Sequence, residues 1–244
     1  MKSISPNLNI MIKACEKAGK ILIRDFGELE NLQVSKKGPR DFVTNADKKV
    51  ENVLITELSK KKFSIISEEI GTKFTSDKNN LWIIDPIDGT TNFLHGIPHF
   101  CISIAYIYKE EIISGVIFDP IKNEIFYAEK NSGAFFNNQR IRVSKKNNLD
   151  ECLFGSNLQC GKNINLNLRV SGSAALDLAY VASGRLDGYF QKKLNIWDIA
   201  AGILIVSEAG GLISPIDVKN HKNHKIIASS EIIFKDLNKL LTNF

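Results

Sequence analysis

The chain has 244 residues, 43% hydrophobic and 24% charged, and its 32 Lys and Arg against 27 Asp and Glu give a net charge of +5. That is the composition of a soluble globular protein long enough to bury a sizeable core, as one large domain or two intimate lobes. The basic excess is spread over turns such as Lys60–Lys62 and Lys145–Lys146, so the charge pattern gives no support to a nucleic-acid-binding stripe.

Ser5-Pro6 reads as a helix start, a cap followed by a proline in the first turn. Met11, Cys15, Ala18 and Leu22 then recur on one helical face. Lys36–Asp41 (KKGPRD) reads as a basic loop. Thr44 with Asp47 resembles a capping box, opening a second helix whose stripe is Val50, Val53, Leu54 and Leu58. Phe63–Ser67 is a short strand running into Glu68-Glu69, and Leu81–Ile84 is a second, ending at Asp85 with Asp88 beyond it. From Phe100 to Val143 the runs CISIAYIY, IISGVIF, EIFYAE and GAFFNN predict an antiparallel meander.

After Asn148 the pattern alternates. A strand is expected near Cys152–Ser156, a helix over Ala174–Ser183, a strand at Gly188–Phe190 and a long helix over Trp197–Ala209. Strands near Leu212–Ser214 and Lys225–Ala228 and a last helix from Ile233 complete the chain. No repeat, low-complexity tract or polar linker divides it. The expectation is a layered α/β architecture: one domain over 1–244, in two intimate lobes of about 1–148 and 149–244 that share a cleft. Cys15, Cys101, Cys152 and Cys160 show no CxxC spacing, and Lys13, Lys17 and Lys20 interrupt the apolar residues of the N-terminus. No run approaches the roughly 18 apolar residues of a membrane span. A reduced, cytoplasmic setting is expected.

Three acidic features fall where α/β folds collect ligands, at strand ends and helix starts. They are Glu68-Glu69, Asp85 with Asp88, and Asp198. Each alone has an ordinary reading: exposed turn residues, an Asx-type turn, and an acid favourable to a helix N-terminus. Together they would crowd carboxylates at buried strand ends, where desolvation costs several kcal/mol per unpaired charge. Divalent cations remove that cost. Oxygen donors without histidine or cysteine point to magnesium, or to manganese or calcium, rather than zinc. His95 and His99 are separated by Pro98, and His221 and His224 lie in a Lys/Asn-rich loop, so neither pair reads as a zinc site. Gly89-Thr90-Thr91-Asn92 supplies backbone N–H groups for an anion. Metals beside such a nest make a cradle for a phosphate ester. No GxGxxG, Walker A or GxSxG pattern is present.

Five segments carry a resemblance: DFVTNAD at Asp41–Asp47, SEEIG at Ser67–Gly71, WIIDPIDGTTNF at Trp82–Phe93, GSAALDLAY at Gly172–Tyr180 and WDIAAGILIVSEAGG at Trp197–Gly211. In this order and spacing, the chain resembles the inositol monophosphatase family, in its bacterial, SuhB-like branch. The resemblance implies an αβαβα-type fold, like that of fructose-1,6-bisphosphatase and inositol monophosphatase, with mixed and antiparallel sheets. It implies a homodimer, lithium sensitivity and two or three magnesium ions per active site. Glu68, Asp85 and the carbonyl of Ile87 would hold one ion, and Asp85, Asp88 and Asp198 a second. Glu68, with Glu69 through waters, would position a weaker third. Thr90 paired with Asp47 would orient or activate the attacking water, and the N–H groups of Gly89 and Thr90 would bind the phosphate. Lys36 would lie in a loop that closes on the metals; Gly172, Ser173 and Ala174 would line the alcohol side, with Asp88 taking a hydroxyl.

The implied activity is Mg2+-dependent hydrolysis of small phosphate monoesters by a metal-activated water, foremost inositol-1-phosphate-like polyol phosphates. Histidinol phosphate and sugar phosphates such as fructose 1,6-bisphosphate are the alternatives. A role of another class, SuhB-like binding to RNA or the transcription machinery, is also implied. One position departs from the family pattern: Gln191, seven residues before Asp198, stands where many members place a glutamate that receives sugar hydroxyls. Glutamine keeps an acceptor, loses the charge and gains a donor.

Overall fold

The structure is a computed structural model that describes residues 4–32, 39–77, 79–157 and 166–241. Helix α1 (Pro6–Leu32) starts as its sequence dictates, with the Ser5 hydroxyl accepting from Leu8 N at 3.1 Å. Its stripe of Leu8, Met11, Cys15, Ala18 and Leu22 is fully buried against α2 (Pro39–Leu58) and a sheet. α2 begins at Pro39, not at Thr44, so the segment read as a loop holds the helix's first turn. Proline serves well there, because its ring presets φ and it lacks an N–H that the first turn would leave unpaired anyway. Lys36 lies outside the described residues.

The first sheet contains β1 (Ser64–Ser67), β2 (Gly71–Lys73), β3 (Asn80–Asp88), β4 (Cys101–Tyr108), β5 (Glu111–Asp119), β6 (Glu124–Glu129), β7 (Gly133–Phe136) and β8 (Gln139–Arg140), with a short helix α3 (Thr90–Leu94) after β3. Their order is β2-β1-β3-β4-β5-β6-β7-β8, the meander expected from β4 onward, and β1 pairs parallel to β3. β3 alternates as a strand buried on both faces must. Trp82 and Ile84 join the α1/α2 core, while Ile83 joins a second core on the opposite face. β3 does not stop at Asp85: it continues through a register shift to Asp88, so both aspartates belong to one strand end.

The second sheet, in order β10-β9-β11-β13-β12, uses β9 (Leu153–Gly155), β10 (Asn167–Arg169), β11 (Gly188–Leu194), β12 (Gly211–Ile213) and β13 (His224–Ser230). β11 is longer than its apolar run suggests, because a bulge with Lys193 at φ 60° carries the pairing past two lysines to Leu194. Helices α4 (Ala174–Ala182) and α5 (Ile196–Glu208) fill the space between the sheets. Their core joins Ile83 and Ile117 of the first sheet to Tyr189 and Ile226 of the second. Helix α6 (Glu231–Leu240) covers the outer face with Ile233 and Leu237 against Phe154, Phe190 and Ile227. The layers therefore run αβαβα. No helix among the described residues is long and apolar enough to cross a membrane.

α5 sits close to its neighbours because glycine permits it. A Cβ on Gly115 of β5 would fall 2.8 Å from the Ala201 carbonyl oxygen, and one on Gly202 would fall 2.6 Å from Leu178 Cβ. Gly202→Ala should therefore destabilise the protein by about 1–3 kcal/mol, the usual cost of overpacking. Urea unfolding checks this, and an unchanged midpoint would contradict so tight a contact.

Candidate active site

Parallel pairing of β1 with β3 aligns Ser67 with Ile84, so the residues that follow, Glu68 and Asp85, become neighbours at the carboxyl ends of both strands. Glu68 N donates to Ile84 O at 3.3 Å. Asp85 is buried and its Oδ1 accepts from Ile87 N at 3.0 Å, the Asx-type turn that the sequence suggests. Gly89, at φ 95°, turns the chain into α3; a Cβ there would meet the His99 carbonyl oxygen at 3.0 Å. Thr90 opens that helix and its hydroxyl donates to the Ile87 carbonyl at 2.9 Å. The single hydroxyl proton of Thr90 is therefore directed to Ile87, not to Asp47.

Asp88 ties this strand end to the second half of the chain. Its Oδ2 accepts from Ala175 N at 2.7 Å and from the Ser173 hydroxyl, which also caps α4 by accepting from Leu176 N at 3.3 Å. Asp198 lies in the first turn of α5, where its Oδ2 accepts from Asn195 N at 2.7 Å. Gln191 on β11 uses its Oε1 to accept from the Tyr189 hydroxyl at 2.6 Å.

These segments enclose a cavity of about 260 Å³. It brings together Glu68, Asp85, Ile87, Asp88, Gly89 and Thr90 from the first half, and Gly172, Ser173, Ala174, Gln191 and Asp198 from the second. Asp47 and Glu69 stand outside its lining: Asp47 is buried on α2 and Glu69 is exposed. Asp177, Ser171 and Asn195 line it as well and were not singled out from the sequence. The signal for Asp177 was present, as a lone carboxylate in the apolar helix AALDLAYVA. His95 and His224 sit at 2.8 Å from the backbone carbonyls of Thr91 and Asn220.

The carboxylates perturb one another strongly. Burial first, then the charges of Glu68, Asp88 and Asp198, holds the Asp85 carboxyl well above the usual range. Glu68 is exposed at the rim as a whole residue, yet its sheltered carboxyl is pushed up to about 7 by desolvation and by Glu69, Asp88 and Glu51, against a lowering hydrogen bond with Asp85. Desolvation and Asp88 bring Asp198 to about 8, and desolvation with Glu69, Glu68 and Glu51 brings Asp47 to about 7.

Among the described residues no three His, Cys, Asp or Glu side chains are already gathered to hold a metal ion. The donors present nonetheless fit a hard divalent cation. Glu68, Asp85, Asp88, Asp198 and the Ile87 carbonyl, which has a lone pair beyond the one Thr90 uses, converge on one cavity. The nearby Cys101 thiol is driven well above its ordinary range by burial, so it offers no thiolate.

Without a cation, the folded protein retains protons on Asp47, Glu68 and Asp198 up to pH values of about 7 to 8, where the unfolded chain, with carboxyls near about 4, has lost them. Stability must then fall as pH rises from about 4 through about 8, because the folded state binds more protons across that window. Urea midpoints of EDTA-treated protein at pH 5, 6, 7 and 8 should decline in that order. A steady rise would contradict the crowding.

The inositol monophosphatase family matches residues 4–243 of the chain. The chain is 43% identical to an inositol-1-monophosphatase of Mesorhizobium japonicum, over 95% of this chain and 94% of the relative. It is 41% identical to Nus factor SuhB of Escherichia coli, over 86% and 85%. Its fold superposes with a TM-score of 0.86 on the crystal structure of extragenic suppressor protein suhB from Bartonella henselae, 43% identical, covering 97% of this chain and 98% of that one. The αβαβα layering, with mixed and antiparallel sheets, is the fold of those relatives.

Proposed function

The chain belongs to the inositol monophosphatase family, a family of phosphatases, and on that premise we propose that it hydrolyses small polyol phosphate monoesters, foremost inositol 1-phosphate, with magnesium as its cofactor. One observation carries the reading: four mutually perturbed carboxylates and the Gly89-Thr90 backbone line a single cavity. Histidinol phosphate and fructose 1,6-bisphosphate are competing esters, because such enzymes share the phosphate chemistry and differ in the alcohol pocket.

In this reading Glu68, Asp85 and the Ile87 carbonyl would hold one ion, Asp85, Asp88 and Asp198 would hold a second, and Glu68 with Glu69 would position a weaker third. Bound there, the ions neutralise phosphate charge and acidify the attacking water, the two things a very slow uncatalysed hydrolysis most requires. The N–H groups of Gly89 and Thr90 grip the phosphate oxygens. Asp47 comes from α2, which packs against α3. Turning the Thr90 hydroxyl from Ile87 toward Asp47 would release the Ile87 carbonyl, reorient the Thr90 lone pairs to accept from the attacking water and place a carboxyl behind the hydroxyl proton.

Gly172, Ser173 and Ala174 shape the alcohol side, where Asp88 takes a hydroxyl. Gln191 Oε1 accepts from the Tyr189 hydroxyl, so it presents its N–H donors and one remaining lone pair to the substrate. Homodimer formation and lithium inhibition belong to the same reading. A second reading, binding to RNA or the transcription machinery, draws support from relatives named Nus factor SuhB. The intact acidic set favours catalysis beside such binding, and pull-down with RNA polymerase at low and high salt tests it.

Phosphate release from a panel of monoesters with Mg2+ should show turnover that Asp85→Asn lowers at least about a thousandfold, as expected for the shared ligand of a two-metal site. Gln191→Glu should raise the preference for inositol 1-phosphate over fructose 1,6-bisphosphate. Wild-type turnover in Asp85→Asn would refute the site.

A further inference from the structure

Acceptors on the alcohol side of the cavity are scarce. Asp88 Oδ2 already receives the Ser173 hydroxyl and the Ala175 N–H, and the Ala174 N–H also bonds this carboxylate, so little acceptor capacity is left for cation and hydroxyl alike. Gln191 Oε1 receives the Tyr189 hydroxyl, which leaves it a single lone pair and no charge with which to meet a substrate hydroxyl. A polyol entering this space brings several hydroxyl protons, each of which leaves a water acceptor behind and needs a new one. Donors from Gln191 do not meet that need.

One carboxylate in the cavity has no part in the chemistry above. Asp177, 4% exposed, lies four residues after Ser173 and three after Ala174, so it shares their face of α4 and lines the same space. Gly155 makes room for it: a Cβ there would fall 2.9 Å from both Cγ and Oδ2 of Asp177. The Ser171 hydroxyl, also in the cavity wall, is its hydrogen-bonding side-chain partner. A carboxylate can accept about four hydrogen bonds, so capacity remains. Burial pushes its carboxyl up to about 7, and each hydroxyl it accepts favours the ionised form.

We propose that Asp177 is a substrate-binding residue that receives hydroxyl protons from the alcohol part of the ester, supplying from α4 the carboxylate that position 191 lacks. Gln191 donates to a neighbouring hydroxyl oxygen. This acceptor and donor suit a substrate with adjacent free hydroxyls and give no advantage to an alkyl ester without them. The inference rests on the phosphatase reading above.

Inositol 1-phosphate and cyclohexyl phosphate share a ring and a scissile bond and differ in the ring hydroxyls. With Mg2+, the ratio of their kcat/KM values should be at least about tenfold in favour of inositol phosphate, the scale of one hydrogen bond to a charged group. Asp177→Asn, which keeps the size, should shrink that ratio about tenfold, mostly through the KM for inositol phosphate. A carboxylate that merely supports Ser171 would slow both esters alike, and a ratio unchanged within twofold overturns the proposal. Should Asp177→Asn fail to fold, Gly155→Ala presses a methyl against the same carboxylate and should shrink the ratio in the same direction. If neither variant folds, a wild-type ratio near one overturns the proposal and a tenfold preference supports it. Wild-type protein that cleaves neither ester, nor any other monoester, overturns the phosphatase reading and this inference with it.

Discussion

Repulsion among desolvated carboxylates is the constraint around which this structure is arranged. Asp85 is buried with Glu68, Asp88 and Asp198 as its electrostatic neighbours, and all four hold their protons more tightly than free carboxyls do. A chain selected for stability alone has no reason to assemble them, since several kcal/mol of desolvation attends each such charge. Hydrogen bonds to Asp88 and Asp198 from backbone N–H groups orient the carboxylates and offset a part of that cost. The remainder calls for a positive partner.

Each layer of the fold contributes to that convergence. Parallel pairing of β1 with β3 delivers Glu68 beside Asp85, and the slip in the β3–β4 ladder carries the chain on to Asp88. The sandwiched helices α4 and α5 present their first turns to the same point, with Ser173 and Asp198. Close packing at Gly115 sets α5 against the first sheet, and close packing at Gly202 sets it against α4. Charge is thus concentrated at the seam between the two sheets, with apolar cores on either side of it. Asp177 extends the pattern by one helical turn beyond Ser173, along the wall of the same cavity.

Much of this was legible in the sequence, for identifiable reasons. The stripe of Met11, Cys15, Ala18 and Leu22 obeys the 3.6 period, the unbroken apolar run before Asp85 reads as a buried strand, and the structure buries Trp82, Ile83 and Ile84 accordingly. The acidic positions were readable because carboxylates directly after apolar runs are costly without a function. Pro39 misled, since a proline marks a loop and a helix start equally well. The extension of β11 through Lys192 and Lys193 was hidden because it depends on a bulge and not on hydrophobicity. Asp177 was passed over because its helix reads as uniformly apolar core; its role depends on Gly155 and Ser171, which only the tertiary fold brings alongside.

The central claim is that a divalent cation completes this acidic cavity, and the thermal unfolding of one protein with and without it tests that most directly. At pH 8, MgCl2 in roughly hundredfold excess over its dissociation constant should raise the midpoint of EDTA-treated wild-type protein by about 5 °C or more. The rise should largely vanish in Asp85→Asn, whose metal-free form should itself melt higher than wild type because a buried ionisable carboxyl among acidic neighbours is gone. Equal midpoints for wild type in EDTA and in MgCl2, or an undiminished rise in Asp85→Asn, would contradict the account.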